Sequence, residues 1–90
     1  AELMLNEATN LFDKGLNPGE EANLSKLLSA DAQWAAAEAC IQTFGGFGFA
    51  EEYNIERKYR EARLYQVAPI STNMILSYIA EHVLKMPRSY

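Results

Sequence analysis

The stretch whose residue types and spacing could do chemistry lies mid-chain: Gln42, then Gly45-Gly46-Phe47-Gly48-Phe49. Bare glycine backbone lets a ligand's phosphates or another chain come close, and main-chain amides can donate to oxygen anions. The plain alternative is a helix C-cap, which commonly takes glycine for its positive φ. Three glycines interleaved with aromatics exceed what a cap needs. The stretch lacks the Gly-Lys-Ser/Thr ending of a nucleotide phosphate loop. A dinucleotide fingerprint would need a strand before it and a helix after it. Spacing alone therefore leaves both readings, cap and ligand contact, open.

Other candidates are weaker. His82 has a reference pKa suited to a proton shuttle, but it falls on an apolar stripe with no second base or ligand at helical spacing. It reads as a packed or interfacial histidine. Cys40 is the single cysteine, which excludes an internal disulfide and a cysteine-based metal site. Between Ala39 and Ile41 it is expected to be a small buried hydrophobe. No metal site is expected. Arg57, Lys58, Arg60 and Arg63 interleave with Glu52, Glu56 and Glu61, a pattern that predicts a solvated, ion-paired helix face. A net charge of −4 argues against general affinity for nucleic acid.

The elements that must position these residues are helical. The chain has 90 residues, 49% hydrophobic and 22% charged, a globular balance that allows one small domain. No apolar run approaches the ~20 residues of a membrane span. No signal peptide is visible in the acidic, amphipathic N-terminal stretch, so cytoplasm is the default location. The pattern predicts about four helices in an all-α arrangement. The first runs from Ala1 to about Lys14, with Leu5, Ala8 and Phe12 on one face and Met4 and Leu11 alongside. It begins with no capping residue, which suggests a helix cut from a longer chain. Gly15 suits a left-handed cap, and Pro18 cannot continue a helix.

The second helix is expected from Glu20 or Glu21 to the glycines, with Leu27, Ala30, Trp34, Ala37, Ile41 and Phe44 as its stripe and Trp34 as core anchor. A third is expected from about Asn54 to Gln66, presenting Ile55, Tyr59, Ala62 and Leu64. Pro69 interrupts it and pushes Ala68 toward extended geometry. Ser71 or Thr72 can cap a last helix, with Met74, Ile75, Tyr78, Ile79, His82 and Val83 on one broad face. Pro87 ends it, leaving Arg88-Ser89-Tyr90 as a tail.

Gln42-Thr43-Phe44-Gly45-Gly46-Phe47-Gly48-Phe49 resembles the Gln-x-x-Gly-Gly-x-Gly-aromatic motif of acyl-CoA dehydrogenases. The helix before it, Lys26-Leu27-Leu28-Ser29-Ala30-Asp31-Ala32-Gln33-Trp34, is similar to that family's Lys-Leu-x-Ala-Ser/Asp-x-Ala-x-Trp pattern. Glu52-Tyr53-x-Ile55-Glu56-Arg57 and Tyr59-Arg60-Glu61-Ala62-Arg63 follow at the family's separation. Several motifs in order, from about Lys26 to Gln66, make the resemblance specific. It implies the C-terminal part of a helical up-and-down four-helix bundle, residues 1–90, from a larger FAD-dependent oxidoreductase. Such enzymes introduce an α,β double bond into acyl-CoA thioesters and pass electrons to an electron-transfer flavoprotein. Their bundles assemble dimers or tetramers.

By the same resemblance, Gln42 and the Gly45-Gly46 backbone would face the adenosine–pyrophosphate part of a partner subunit's FAD. Ser71 and Asn73 align with a Thr-x-Gln pair that also approaches FAD. The usual catalytic Glu falls on Pro69, which has no proton-accepting side chain. The base would then come from a helix upstream of Ala1, or the chemistry is altered, or activity is lost. Glu61 and Glu81 are expected on polar faces, poorly placed to substitute. The rival reading is a stand-alone helical oligomerisation module built on the Leu27–Phe44 stripe. As a fragment the chain is expected to self-associate and to be inactive alone.

Overall fold

The computed structural model describes residues 1–88, so Ser89 and Tyr90 of the expected tail lie outside the described residues. Among them there are helices and turns and no strand.

Helix α1 spans Glu2–Asp13 and ends on Gly15 at φ 70°. There the Gly15 amide donates to the Phe12 carbonyl and the Leu16 amide to the Leu11 carbonyl, both at 2.9 Å. That paired capping satisfies carbonyls the helix would otherwise leave bare. Helix α2, Gly19–Phe44, follows after a short reversal, with Glu20 and Glu21 in its first turn against the positive end of its dipole. Its many alanines are the best helix formers among the residues. At 26 residues it is the spine on which α1, α3 and α4 all pack.

Helix α3 spans Ile55–Val67 and runs antiparallel to α2. The register follows from paired side chains. Tyr59 donates to Glu38 at 2.7 Å, Gln66 donates to Asp31 at 3.2 Å, and the Lys26 ammonium donates to the Tyr65 carbonyl. Trp34 lies 4.8 Å from Tyr59 ring to ring, with the Arg63 guanidinium 5.4 Å from the indole centroid. Ala68 is extended before Pro69, as the steric demand of proline requires. The Ala68–Pro69 peptide is cis.

Helix α4, Thr72–Tyr78, begins at Ser71, whose hydroxyl accepts from the Met74 amide at 3.2 Å. It lies over the start of α2. A Cβ on Gly19 would stand only 2.9 Å from the Tyr78 hydroxyl, so glycine is what lets α4 approach there.

Several expectations need correction. Three helices are long rather than four: α4 has seven residues before the chain loosens into a π turn, Ile79–Val83. A π turn winds less per residue than an α-helix. Within it Ile79 and Val83 remain half-buried, while His82 is exposed with one side on the Tyr78 ring at 4.6 Å; Met74 of the expected face, in α4 itself, is 59% exposed. Cys40 is exposed rather than buried. Its alanine neighbours are common on bare faces of α2, because alanine serves helix propensity as well as packing. Trp34 is half-buried, an element of the α2–α3 seam and not of the core, and Leu64 is largely exposed. The buried apolar residues are Ala8, Ala30, Ala62 and Ile75.

Such a core is small, and the shape shows it. The chain measures 46 × 34 × 18 Å with a radius of gyration of 16.3 Å, against about 12 Å for a compact chain of this length. Its accessible surface, 6624 Å², exceeds the roughly 5,300 Å² expected of a compact monomer of its mass. Large apolar side chains contribute to that surface: Leu3 is 86% and Phe12 70% exposed along α1.

Candidate functional site

The glycine stretch closes α2 and then turns it. Gly45 takes φ 57° and ψ −134°, a conformation open to glycine and strained for other residues. Its amide donates to the Ile41 and Gln42 carbonyls, so the cap uses that donor and leaves bare Cα surface outward. A 3₁₀ turn follows over Gly45–Phe49, and a second over Glu51–Tyr53. The cap reading of the sequence is thus correct for Gly45.

The other two glycines differ from it and from each other. Gly48 is buried; a Cβ there would meet the Ile41 side chain at 3.0 Å and the Ile41 carbonyl at 3.1 Å. Its missing side chain lets the turn fold back onto α2. Spacing did not single this residue out, because packing needs three dimensions. Gly46 has no positive φ, and a Cβ there would meet nothing within 4 Å. Nothing within the described residues requires glycine at 46. Beside it Gln42 is exposed, and its carboxamide makes no hydrogen bond among the described residues. A bare backbone patch next to an unengaged carboxamide fits a phosphate- or amide-bearing group arriving from outside the chain.

Ser71 and Asn73 lie elsewhere. The antiparallel register puts the end of α3 against Lys26, about 24 Å along α2 from Gln42. The α3–α4 corner stands at that end, so the structure does not bring the two pairs together. The Ser71 hydroxyl caps α4, while Asn73 is exposed. Pro69 is exposed in the corner between them and α3.

The nearby acids are engaged. Glu61 lies 3.6 Å from Arg57, Glu56 2.9 Å from Arg60, and Glu81 4.0 Å from Arg88. The first two pairs make the ion-paired face expected of α3, and exposed pairs of this kind stabilise only slightly. Tyr59 is held above the usual phenol pKa, first by its hydrogen bond to Glu38 and then by desolvation. Among the described residues no group of three or more His, Cys, Asp or Glu side chains could hold a metal ion. None of their helices is long and apolar enough to cross a membrane.

These features define an open helical module whose one outward glycine patch is not explained by its own packing. The chain belongs to the acyl-CoA dehydrogenase family: residues 1–84 match its C-terminal domain. Acyl-CoA dehydrogenase FadE12 of Mycobacterium tuberculosis is 39% identical across the whole chain, which covers 24% of that protein. Cyclohexane-1-carbonyl-CoA dehydrogenase of Geobacter metallireducens is 32% identical over 91% of the chain and 22% of its own length. The mouse mitochondrial very long-chain specific acyl-CoA dehydrogenase is 33% identical over 67% of the chain and 9% of its own length. The chain thus spans about a quarter of the curated relatives it matches along most of its length. No solved structure matches it significantly.

Proposed function

We propose that these residues form the C-terminal part of the helical bundle of an FAD-dependent, cytoplasmic acyl-CoA dehydrogenase-like enzyme, and that they help bind flavin and assemble subunits. Gly46 carries the proposal: it is a glycine that neither φ nor internal packing requires, beside an unengaged Gln42. Gln42 offers one carbonyl acceptor and two amide donors to a ribose or pyrophosphate edge, and Gly45-Gly46 admits that edge against bare backbone. FAD, when bound, supplies the hydride acceptor for the β-position of the thioester.

The separation of Gln42 from Ser71 and Asn73 supports two flavins per chain. One set faces a partner subunit's FAD and the other the chain's own. Large apolar exposure along α1 supports burial of that face in the parent assembly. With Pro69 at the usual position and the nearby acids paired, the α-proton passes to a carboxylate outside these residues. Electrons then leave through an electron-transfer flavoprotein. The bundle segment alone is inactive.

Pro69 also favours a second reading, a flavoprotein of the same fold with altered chemistry. The absorbance spectrum of the full-length protein, recorded with and without an octanoyl-type CoA thioester, separates the two. Flavin that bleaches on addition supports dehydrogenation with a base elsewhere. Flavin indifferent to any acyl-CoA supports altered chemistry. A colourless full-length protein removes both and leaves a helical oligomerisation module.

A further inference from the structure

The Gly45-Gly46 backbone has no side chain with which to fix itself, and glycine loses more freedom on ordering than any other residue. Something adjacent must hold it if it is to present one surface to a ligand. On its inner side the hold is Gly48 against Ile41. On its outer side there is a trio of rings. Tyr53, at the end of the second 3₁₀ turn, lies 5.7 Å from Phe44 and 5.8 Å from Phe47, centroid to centroid. Those two phenylalanines are the residues immediately before and after the glycine pair. Tyr53 therefore joins both ends of the diglycine bridge from a separate turn.

The trio contributes little to the core. Phe44 is 40%, Tyr53 49% and Phe47 68% exposed. The Tyr53 hydroxyl makes no hydrogen bond among the described residues, so its ring alone is engaged. Inclined ring pairs in the 4.5–7 Å range are attractive beyond their buried area. Exposed rings set on both flanks of a bare backbone bridge are poorly placed to stabilise the fold and well placed to restrict the bridge.

We infer that Tyr53 is a positioning residue for the flavin site, holding the Gly45-Gly46 backbone in its ligand-facing geometry through Phe44 and Phe47. The inference rests on the reading that Gly46 faces FAD. It assigns Tyr53 no contact with the flavin itself.

The test uses the full-length protein stripped of flavin and titrated with FAD, read by flavin fluorescence, beside thermal unfolding of each apoprotein. Tyr53→Leu is expected to weaken FAD binding by about tenfold, the size of losing two aromatic pairs. The apoprotein melting temperature stays within about 2 °C, because the ring is half exposed. Tyr53→Phe retains affinity. In the double variant Tyr53→Leu/Phe47→Leu the losses fall short of additive, since both act through one trio. Unchanged affinity in Tyr53→Leu, or strict additivity in the double variant, overturns the positioning role. Gly46→Ala distinguishes the two failures. If it weakens FAD binding while Tyr53→Leu does not, only the positioning role falls. If neither weakens it, the glycine reading falls as well.

Discussion

Two clusters of aromatic rings stand on α2, one along its seam with α3 and one at its C-terminal turn. In the seam, Trp34 packs on Tyr59 and under Arg63, and the same helices are tied by Tyr59 to Glu38, Gln66 to Asp31, and Lys26 to the Tyr65 carbonyl. In the turn, Tyr53 pairs with Phe44 and with Phe47 beside a backbone patch that carries no side chains. Seam residues are largely used on each other: the Trp34 and Tyr59 rings pair, and the Tyr59 hydroxyl is bonded to Glu38. Turn residues leave ring area, a carboxamide and bare backbone uncommitted. Completeness within the chain marks the part that holds the fold, and surplus marks the part directed outward.

This contrast can be broken by substitution. The largest effect on stability is expected at the seam: Trp34→Ala lowers unfolding free energy by about 2 kcal/mol, half the cost at a fully buried tryptophan. Phe47→Ala, on a largely exposed ring in the turn, changes it by less than about 0.5 kcal/mol. Urea titrations of the two variants compare them directly. Equal losses would erase the distinction.

Next is the glycine pair within the turn. Gly48→Ala forces a methyl against the Ile41 carbonyl, at a cost of about 1–2 kcal/mol. Gly46→Ala leaves stability within about 0.5 kcal/mol and weakens FAD binding in the full-length protein. Paired denaturation and flavin titrations read both. A Gly46→Ala variant as unstable as Gly48→Ala would mean that the outer glycine, too, belongs to the fold. At the α3–α4 corner, Ser71→Ala removes the hydroxyl that receives the Met74 amide and costs about 1 kcal/mol, visible as lost helicity in far-ultraviolet circular dichroism.

The smallest effect is one of pH. Tyr59 binds its proton more tightly when folded, through Glu38, while Arg63 works the other way. The resulting stability is present below the free phenol pKa of about 10 and is lost as pH rises through the elevated folded value. An alkaline titration of unfolding should show extra loss above about pH 10 that Tyr59→Phe abolishes. Loss of the same size in that variant would remove Tyr59 from the seam's account.

Much of the scaffold was legible because local rules decide it. Gly15 closes α1 at positive φ, Ser71 caps α4, Ala68 is extended before Pro69, and the Leu27–Phe44 stripe faces the rest of the chain as far as Ile41, Phe44 being exposed. The misses share a cause, which is that they depend on neighbours distant in sequence. Periodicity assumed one winding angle and so carried a single α-helix through the π turn. Alanine content suggested burial around Cys40, although most of those alanines face outward. At the site, motif order pointed to Gln42, Gly45 and Gly46, yet the separate tasks of the three glycines follow only from the φ of Gly45 and from what a methyl would meet at Gly46 and Gly48. That Gln42 and Ser71 stand far apart became evident only with the α2–α3 register.

The placing of α1, α3 and α4 around one spine has a consequence for cooperativity. The arms lean on α2 far more than on one another. Each can therefore fray at a free energy of its own, while loss of the spine dissolves every arm at once. Amide protons of α4 should exchange with solvent first and those midway along α2 last, so exchange rates would rank the segments by the company α2 gives them.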